Sequence, residues 1–247
     1  MGMRLQGRTA LITGASSGIG AATAAALAAV GCRPVLVGRD EHRLAGIAER
    51  TGGSSMPADL TDPADLRRVS DAAQDVDLLV HSAGLGWAGE LGSMPAEDVL
   101  ELTAVNLTAP MLLTRAALPE MARRRRGHIV FVSSIATVGV RGEEVYAATK
   151  AGMRAFAASV RYQAATHEVG VSTVLPGAVR TPFFRHRGRP YDRGLPRMVS
   201  PEAVAQALLR GVERGAHEVF VPRWLAMAAR VHGAFPSAFH HLARRFG

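Results

Sequence analysis

Short apolar runs with many β-branched residues alternate along the chain with longer segments in which apolar residues recur every three or four positions. The short runs are typical of buried strands, and the longer segments are typical of amphipathic helices. The strands are predicted over residues 9–13, 33–37, 54–57, 77–80, 128–133, 171–175 and 218–221. The helices are predicted over residues 19–30, 41–50, 63–73, 96–125, 144–167 and 200–213, the fourth being broken near Asn106 and Pro110. This alternation predicts one α/β domain over residues 1–247, with a doubly wound, seven-stranded parallel sheet and helices on both faces.

Two segments depart from the alternation. Residues 183–199 follow neither period and are rich in Arg, Gly and Pro. A loop of this length in a compact domain is usually functional, so we predict a lid over a substrate pocket. Residues 223–247 carry apolar side chains at helical spacing among Arg and His. They predict a helical tail that packs over the cleft or a partner subunit, or that rests on an anionic lipid surface.

The composition excludes several classes of protein. Apolar residues make up 48% of the chain and charged residues 20%, which indicates a folded globular protein and excludes a disordered one. The single cysteine, Cys32, excludes an internal disulfide and a multi-cysteine metal site. His128 has no further ligands at metal-binding spacing. We therefore predict no metal.

The net charge of +8 is concentrated near the C-terminus, where residues 185–247 hold 11 basic and 4 acidic side chains. This excess indicates a solvated arginine-rich surface or an anionic partner. The arginine run at 123–126 is interpreted as the end of a helix, so no nucleic acid is predicted as a partner. The uncharged stretch between Arg8 and Arg33 is interrupted by glycine and serine, and we recognise no targeting segment. We expect a cytoplasmic protein, with the tail as the candidate for a peripheral membrane contact.

A glycine-rich turn directly follows the first predicted strand. Its glycines let the backbone approach a pyrophosphate, which then meets the free N–H groups and the positive end of the next helix. The turn lacks the Lys-Ser/Thr pair of a P-loop, and too little chain precedes Ser16 for the nucleophile elbow of a hydrolase. It predicts a Rossmann-type dinucleotide site with contacts from Gly14, Ser16, Ser17, Gly18, Ile19 and Gly20.

The residues that follow the second predicted strand indicate which dinucleotide binds. Arg39 is placed to pair with a ribose 2′-phosphate, whereas an acidic residue there would accept hydrogen bonds from a 2′-hydroxyl. Asp40 is the rival, but it is better placed to cap the helix that begins at Glu41. The sequence therefore favours NADP(H) over NAD(H).

Tyr146 and Lys150 are four residues apart in one predicted helix, so their side chains share a face. Lys150 is the only lysine of the chain and Asn106 the only asparagine. A neighbouring ammonium lowers the pKa of a tyrosine from about 10 toward neutrality, which suits proton transfer. Ser133 and Ser134 end the fifth predicted strand, at the same edge of the sheet as the glycine turn. These residues and the glycine turn together predict a catalytic site beside the dinucleotide.

With these residues in view, the chain resembles the classical short-chain dehydrogenase/reductase family over residues 8–182. The motifs are specific in combination, although each alone is not. They comprise residues 13–20, Asp59-Leu60, Ala83-Gly84, Asn106, Ser134, Tyr146 with Lys150, and Pro176-Gly177 with Thr181.

The resemblance implies a role for each residue. Tyr146 would be the general acid in reduction and the general base in oxidation, and Lys150 would bind the nicotinamide ribose and lower the pKa of the tyrosine. Ser134 would hydrogen-bond the substrate oxygen, and Asn106 would hold a water that connects Lys150 to solvent. The remaining cofactor contacts would come from Asp59, Leu60, Ala83, Gly84, Pro176, Gly177, Val179 and Thr181.

Two details depart from the family pattern. After the fourth predicted strand, the chain has His81-Ser82 where the family commonly has two asparagines. The serine spacing is also ambiguous, because Ser133 and Ser134 both precede Tyr146 at a distance near the family's usual one. Ser134 aligns better on the strand, and Ser133 remains the alternative.

These observations predict an NADP(H)-dependent oxidoreductase that interconverts a carbonyl and a secondary alcohol. A non-catalytic NADP(H)-binding regulator or scaffold is the alternative. The resemblance also implies a homodimer or homotetramer. Apolar residues of the loop and tail predict a largely apolar substrate pocket, and three loop arginines are candidates for admitting an anion. The apolar set is Phe183, Phe184, Leu195, Met198 and Trp224, and the arginines are Arg185, Arg187 and Arg189.

Overall fold

The computed structural model describes residues 2–192 and 195–235 of the 247-residue chain. Its strands are β1 Thr9–Thr13, β2 Arg33–Gly38, β3 Ser54–Pro57, β4 Leu78–His81, β5 Gly127–Val132, β6 Val169–Pro176 and β7 Glu218–Val221. Its α-helices are α1 Gly18–Ala29, α2 Glu41–Thr51, α3 Pro63–Gln74, α4 Ala96–Thr103, α5 Ala109–Arg123, α6 Glu144–Ala165, α7 Phe183–His186, α8 Pro201–Arg214 and α9 Leu225–Ala234.

The strands form one seven-stranded parallel sheet in the order β3-β2-β1-β4-β5-β6-β7. This architecture confirms the predicted doubly wound single domain. The order reverses between β1 and β4, where successive strands depart in opposite directions along the sheet. Because such a reversal opens a crevice at the carboxyl ends of the strands, the fold itself places a ligand site there.

Alternate residues of each central strand supply two separate cores. Val130 and Val132 of β5 pack on one face of the sheet with α1 and α8, whereas Ile129 and Phe131 pack on the other with α3, α5 and α6. Phe131 is fully buried. The two-residue period of a strand thus explains why the central strands are apolar throughout and not alternating.

Polar residues begin three helices as the sequence predicts. The side chain of Asp40 accepts a hydrogen bond from the backbone of Arg43, and Asp62 caps α3 ahead of Pro63. Ser200 caps α8 in the same manner. These confirmed caps satisfy N–H groups that the helices themselves leave unpaired.

The predicted break in the fourth helix is a π-helical turn, Ala104–Thr108, which joins α4 to α5. Two other predictions need correction. The loop 183–199 contains the short helix α7, and β6 is three residues longer than predicted because it begins at Val169 and ends at Pro176. The tail is helical over α9, and its residues 236–247 lie outside the described part of the chain.

Within residues 2–192 and 195–235, no helix combines the length and the apolar character that crossing a membrane requires. The uncharged stretch that begins in β1 is divided between a central strand and the packed helix α1.

Two buried histidines predict a loss of stability in acid. Burial lowers the pKa of His81 to about 3 and that of His128 to about 4. The unfolded chain therefore binds protons near pH 6.5 that the folded chain does not, so the free energy of unfolding decreases as the pH falls from 6.5 toward 4. Each histidine contributes a slope of about 1.4 kcal/mol per pH unit in that window.

Urea unfolding at a series of pH values measures this slope. His128→Gln should flatten it, whereas His42→Gln, at an exposed position of α2, should leave it unchanged. An equal slope in both variants would contradict the prediction.

Candidate active site

A cavity of about 600 Å³ opens at the strand reversal, along the carboxyl ends of the sheet. It is lined by every residue predicted for the site except Asn106. A second concavity, of about 750 Å³, lies between α8, β7 and α9 and contains none of the predicted residues. The topology and the predicted residues therefore select the first cavity.

The glycine turn forms a cradle that side chains would fill. Gly14 has a φ of 68°, and a Cβ there would lie 2.7 Å from the Cα of Ala83. A Cβ at Gly20 would lie 2.2 Å from the carbonyl oxygen of Gly14, so α1 packs close to the turn only because Gly20 lacks a side chain. Ser17 precedes α1, and no side chain caps the N-terminus of this helix. The cradle and the uncapped N–H groups fit the pyrophosphate of a dinucleotide.

Thr13 fastens the neighbouring turn to β1. Its hydroxyl oxygen accepts hydrogen bonds from the backbone N–H groups of Ser82 and Ala83, each at 3.1 Å. These bonds bring Ala83 against Gly14, so the close approach survives the departure at His81-Ser82. Sequence reasoning overlooked Thr13, although a polar residue at the end of a buried strand is a usable signal.

Arg39 lies at the edge of the cavity and is half-exposed. Its Nη1 is 3.2 Å from Oε1 of Glu101 and 4.0 Å from Oδ2 of Asp59. Asp40 caps α2 and pairs with Arg43, which also lines the cavity. This edge therefore carries two arginines, of which sequence reasoning identified only the first. The second, Arg43, lies in the first turn of α2.

The two serines have different surroundings. Ser133 is buried, and its hydroxyl donates a 2.9 Å hydrogen bond to the carbonyl oxygen of Lys150. The Ser134 hydroxyl oxygen accepts a 3.1 Å bond from the N–H of Ala136, and this side chain lies near enough to Tyr146 to act on the pKa of its phenol. The proton of Ser134 is thus available toward the cavity, and that of Ser133 is engaged within the helix-to-sheet contact.

Burial controls the ionisation of Tyr146. It raises the pKa of the phenol to about 12, with Glu143 acting in the same direction and the hydrogen bond of Ser134 and the charge of Arg187 acting against it. The expected lowering of this pKa by Lys150 is therefore not found in the protein alone. The i, i+4 spacing correctly places Lys150 beside the ring, its Nζ 5.8 Å from the centroid, but burial has the largest effect on the pKa of the phenol.

Lys150 is itself buried, and its Nζ donates a 3.0 Å hydrogen bond to the carbonyl oxygen of Val132. Burial lowers the pKa of this ammonium to about 8. A Cβ on Gly84 would lie 3.3 Å from the Nζ, so the glycine leaves space directly beside the amine. The lysine is held at the cavity wall with its charge only partly retained above pH 8.

The side chain of Asn106 is committed to structure. It is fully buried in the π-helical turn, where Oδ1 accepts from Leu85 N–H at 2.8 Å. Its Nδ2 donates to the carbonyl of Leu85 at 2.9 Å and to the hydroxyl of Thr149 at 3.1 Å. Both amide protons are used, so a water held by this residue would have to bind its backbone carbonyl or the remaining lone pair of Oδ1. The role of Asn106 in holding a water stays a prediction.

Aromatic residues close the end of the cavity near Tyr146. The ring of Phe183 lies 5.3 Å from that of Tyr146, and Phe184 and Tyr191 continue the contact. Met198 does not line this cavity, and Leu195 and Trp224 are 71% and 51% exposed, so these three leave the predicted apolar set.

The family model for short chain dehydrogenases matches residues 8–192. The chain belongs to the short-chain dehydrogenase family. This membership confirms the resemblance and identifies an oxidoreductase with a nicotinamide dinucleotide site.

Relatives and solved structures agree with this assignment. The 3-oxoacyl-(acyl-carrier-protein) reductase FabG of Escherichia coli K12 is 33% identical over 190 residues, which are 74% of this chain and 78% of that enzyme. A short-chain dehydrogenase from Sphingobium yanoikuyae in complex with NADPH is 31% identical, with a TM-score of 0.84 over 93% of this chain and 95% of the other. A family member from Burkholderia phymatum in complex with NAD is 25% identical, with a TM-score of 0.80 over 91% and 92% of the two chains. The two cofactors differ, so these structures do not distinguish NADP(H) from NAD(H).

The hydrogen bonds of the Asn106 side chain predict that this residue has a structural role in this short-chain dehydrogenase. Asn106→Ala would leave the N–H and C=O of Leu85 and the hydroxyl of Thr149 without their partner in a buried site. Because such groups are costly to leave unpaired, we expect the free energy of unfolding to fall by about 3 kcal/mol. Urea unfolding measures the change. Gln163→Ala, at an exposed amide of α6, is the control, and equal stability of the two variants would contradict the assignment.

Proposed function

We propose that this short-chain dehydrogenase is an NADP(H)-dependent oxidoreductase that interconverts a carbonyl and a secondary alcohol, with Tyr146 as the general acid and base. The observation that carries the proposal is the position of Tyr146. It lies with Ser134 in the same cavity that the glycine cradle and Lys150 line. A dinucleotide site alone does not require a buried phenol.

When bound, the nicotinamide ring supplies or accepts the hydride. The residues of the chain then have to orient the substrate oxygen and exchange its proton. Tyr146 is protonated at neutral pH, because its pKa lies near 12, and it is therefore ready to donate to a developing alkoxide. Ser134 would donate a second hydrogen bond to the same oxygen. Lys150 would contact the nicotinamide ribose and stabilise the phenolate that remains.

The other cofactor contacts follow from the same cavity. Gly84 leaves the space beside Lys150 that a ribose would enter. The remaining proposed contacts are Gly14, Ser16, Ser17, Gly18, Ile19, Gly20, Arg39, Asp59, Leu60, Ala83, Pro176, Gly177, Val179 and Thr181, all of which line the cavity. Asn106 does not line the cavity and supports the site through its hydrogen bonds to Leu85 and Thr149.

The loop that follows β6 supports its proposed role as a substrate lid. Val179 forms an isolated parallel bridge with Val199, and the N–H of Arg180 donates to Val199 at 2.9 Å. Phe183 and Phe184, just beyond this bridge, line the cavity beside Tyr146. The described part of the loop therefore covers the place where a carbonyl would react, and its aromatic surface favours an apolar substrate.

Removal of the phenol proton tests the catalytic assignment. Tyr146→Phe should lower kcat at least about a thousandfold, because the general acid is lost while the aromatic packing remains. The dissociation constant of NADPH, measured by fluorescence, should change by less than about threefold. Tyr162→Phe is the matched control, since Tyr162 lies on the same helix and is 82% exposed.

Turnover retained by Tyr146→Phe would refute the general-acid role. Tight NADPH binding by the wild type without turnover of any ketone or alcohol in a broad panel would instead support the non-catalytic regulator.

The preference for NADP(H) rests on Arg39, with Arg43 beside it. Glu101 and Asp59 hold the guanidinium of Arg39 at the cavity edge, where a 2′-phosphate would replace them as its partner. Arg39→Ala should reduce the ratio of NADPH to NADH affinity by about tenfold, the effect of one lost charge-assisted contact. Fluorescence titration with both cofactors measures the ratio. Arg50→Ala, in the last turn of α2, is the control, and equal ratios in wild type and Arg39→Ala would refute the phosphate contact.

The homo-oligomer, the cytoplasmic location and the membrane contact stay predictions. The face of α9 that points away from the domain supports an external contact, because Met227 and Phe235 are 60% and 67% exposed. The opposite side of the helix packs beside the active site, where Leu225 is buried against Gly177. A lipid surface or second subunit on α9 would therefore lie next to the substrate loop.

A further inference from the structure

An arginine of the substrate loop is buried against the start of the catalytic helix. Arg187 follows α7 directly, and its side chain is only 6% exposed. Its Nη1 lies 2.5 Å from Oε1 of Glu143, the residue that precedes α6, and the side chain of Glu143 is 12% exposed. An ion pair this deeply buried needs further hydrogen bonds to offset its desolvation.

Those further bonds come from the loop itself. The Nε of Arg187 donates to the carbonyl of Arg189 at 3.0 Å, and Nη2 donates to that of Pro190 at 3.3 Å. The guanidinium carbon also lies 4.7 Å from the ring centroid of Phe184. The carbonyl of Arg187 accepts a 3.0 Å bond from the N–H of Ala88, on the other side of the cleft. All three guanidinium nitrogens are therefore engaged within the protein.

The pair lies beside the reacting end of the cavity. Glu143 is three residues before Tyr146 and lines the cavity, and Phe183 of the same loop packs on the tyrosine ring. Glu143 and Arg187 also act on the pKa of Tyr146 in opposite directions. Their charges therefore reach the substrate region and compensate each other there.

Most of the other charged side chains that line this cavity lie away from Tyr146. In the described ranges, Arg39, Asp40, Arg43 and Asp59 line its opposite edge, near β2 and β3. Lys150 donates to the carbonyl oxygen of Val132, and in the described part of the loop the titratable side chains that line the cavity are His186 and Tyr191. A substrate at Tyr146 thus meets aromatic rings and a compensated ion pair.

We propose that the Arg187–Glu143 ion pair is a specificity determinant that makes the substrate end of the cavity accept uncharged carbonyl compounds and reject carboxylates. Glu143 takes up the guanidinium that would otherwise recruit an anionic substrate. Under this proposal Arg187 does not admit an anion, contrary to the expectation from the sequence. The inference rests on the proposed function, because it names the substrate class of the same site.

The two partners have opposite effects under this proposal. Glu143→Gln keeps the shape of the side chain and leaves the guanidinium uncompensated beside the cavity, so carboxylate substrates should gain. Arg187→Gln leaves the carboxylate of Glu143 uncompensated, so carboxylate substrates should lose further. A merely structural role would make both variants worse for both kinds of substrate. The opposite signs therefore separate specificity from folding.

The probes are 4-acetylbenzoate and its methyl ester, which share one aryl ketone and differ by one negative charge. The measured quantity is the ratio of kcat/KM for the acid to that for the ester, because any change in proton transfer at Tyr146 cancels in it. We expect Glu143→Gln to raise this ratio at least about tenfold and Arg187→Gln to lower it by a similar factor. The double variant should return toward the wild-type ratio.

A binding measurement separates this inference from the proposed function. Trp87 packs in the same apolar cluster as Tyr146 and Phe183, and Trp224→Phe leaves it as the only tryptophan. Its fluorescence in the cofactor-loaded protein reports the dissociation constants of both probes without turnover. The same opposite shifts should appear there, even if no carbonyl is reduced.

Arg185→Gln is the matched control, since neither Arg185 nor Arg187 lines the cavity, whereas Arg185 is exposed and is not part of the ion pair with Glu143. It should leave the ratio within about twofold of wild type. The inference is overturned if Glu143→Gln and Arg187→Gln shift the ratio in the same direction, or if neither shifts it by more than Arg185→Gln does.

Discussion

The exclusion of water from Tyr146 and Lys150 is the constraint on which the site depends. Both side chains are buried, and both shift toward their neutral forms, with the pKa of the phenol raised to about 12 and that of the ammonium lowered to about 8. At neutral pH the phenol keeps its proton and most of the Lys150 amine is still charged, so the interior holds one buried ammonium, which donates its hydrogen bond to the carbonyl oxygen of Val132. The same burial strengthens every interaction that a substrate oxygen makes there. Stability and chemistry thus depend on one feature.

The fold maintains this burial from two directions. At the carboxyl end of β5, Lys150 and Ser133 connect this strand to α6 through hydrogen bonds of 3.0 Å and 2.9 Å. From the side, Asn106 ties the π-helical turn to Leu85 and to Thr149 of α6. A π-helical turn inserts one extra residue into a helix, and Asn106 lies in this turn with its side chain buried. The position of α6 is therefore determined by side chains that lie at the wall of the cavity or behind it.

Much of this arrangement could be predicted from the sequence. Strand and helix positions follow from periodicity, and the caps at Asp40, Asp62 and Ser200 follow from residue type. The glycine turn could be placed because backbone geometry at a pyrophosphate requires glycine. The direction of the Tyr146 pKa could not be predicted, since the i, i+4 spacing to Lys150 shows proximity and not burial. The Arg187–Glu143 pair was also missed, because its partners are far apart in the chain and arginines in a loop are usually exposed.

The cofactor half of the cavity is formed mainly by backbone and the substrate half mainly by side chains. This difference explains why the cofactor half was easier to predict from the sequence. The cofactor half consists mainly of backbone held close by glycines and by Thr13, so its requirements appear as motifs. The substrate half consists of side chains from the loop after β6, where Phe183, Phe184 and Arg187 interlock with α6. Such packing depends on shape and charge compensation, which no short motif encodes. Substitutions in this loop would therefore alter the substrate half while leaving the glycine cradle of the cofactor half in place.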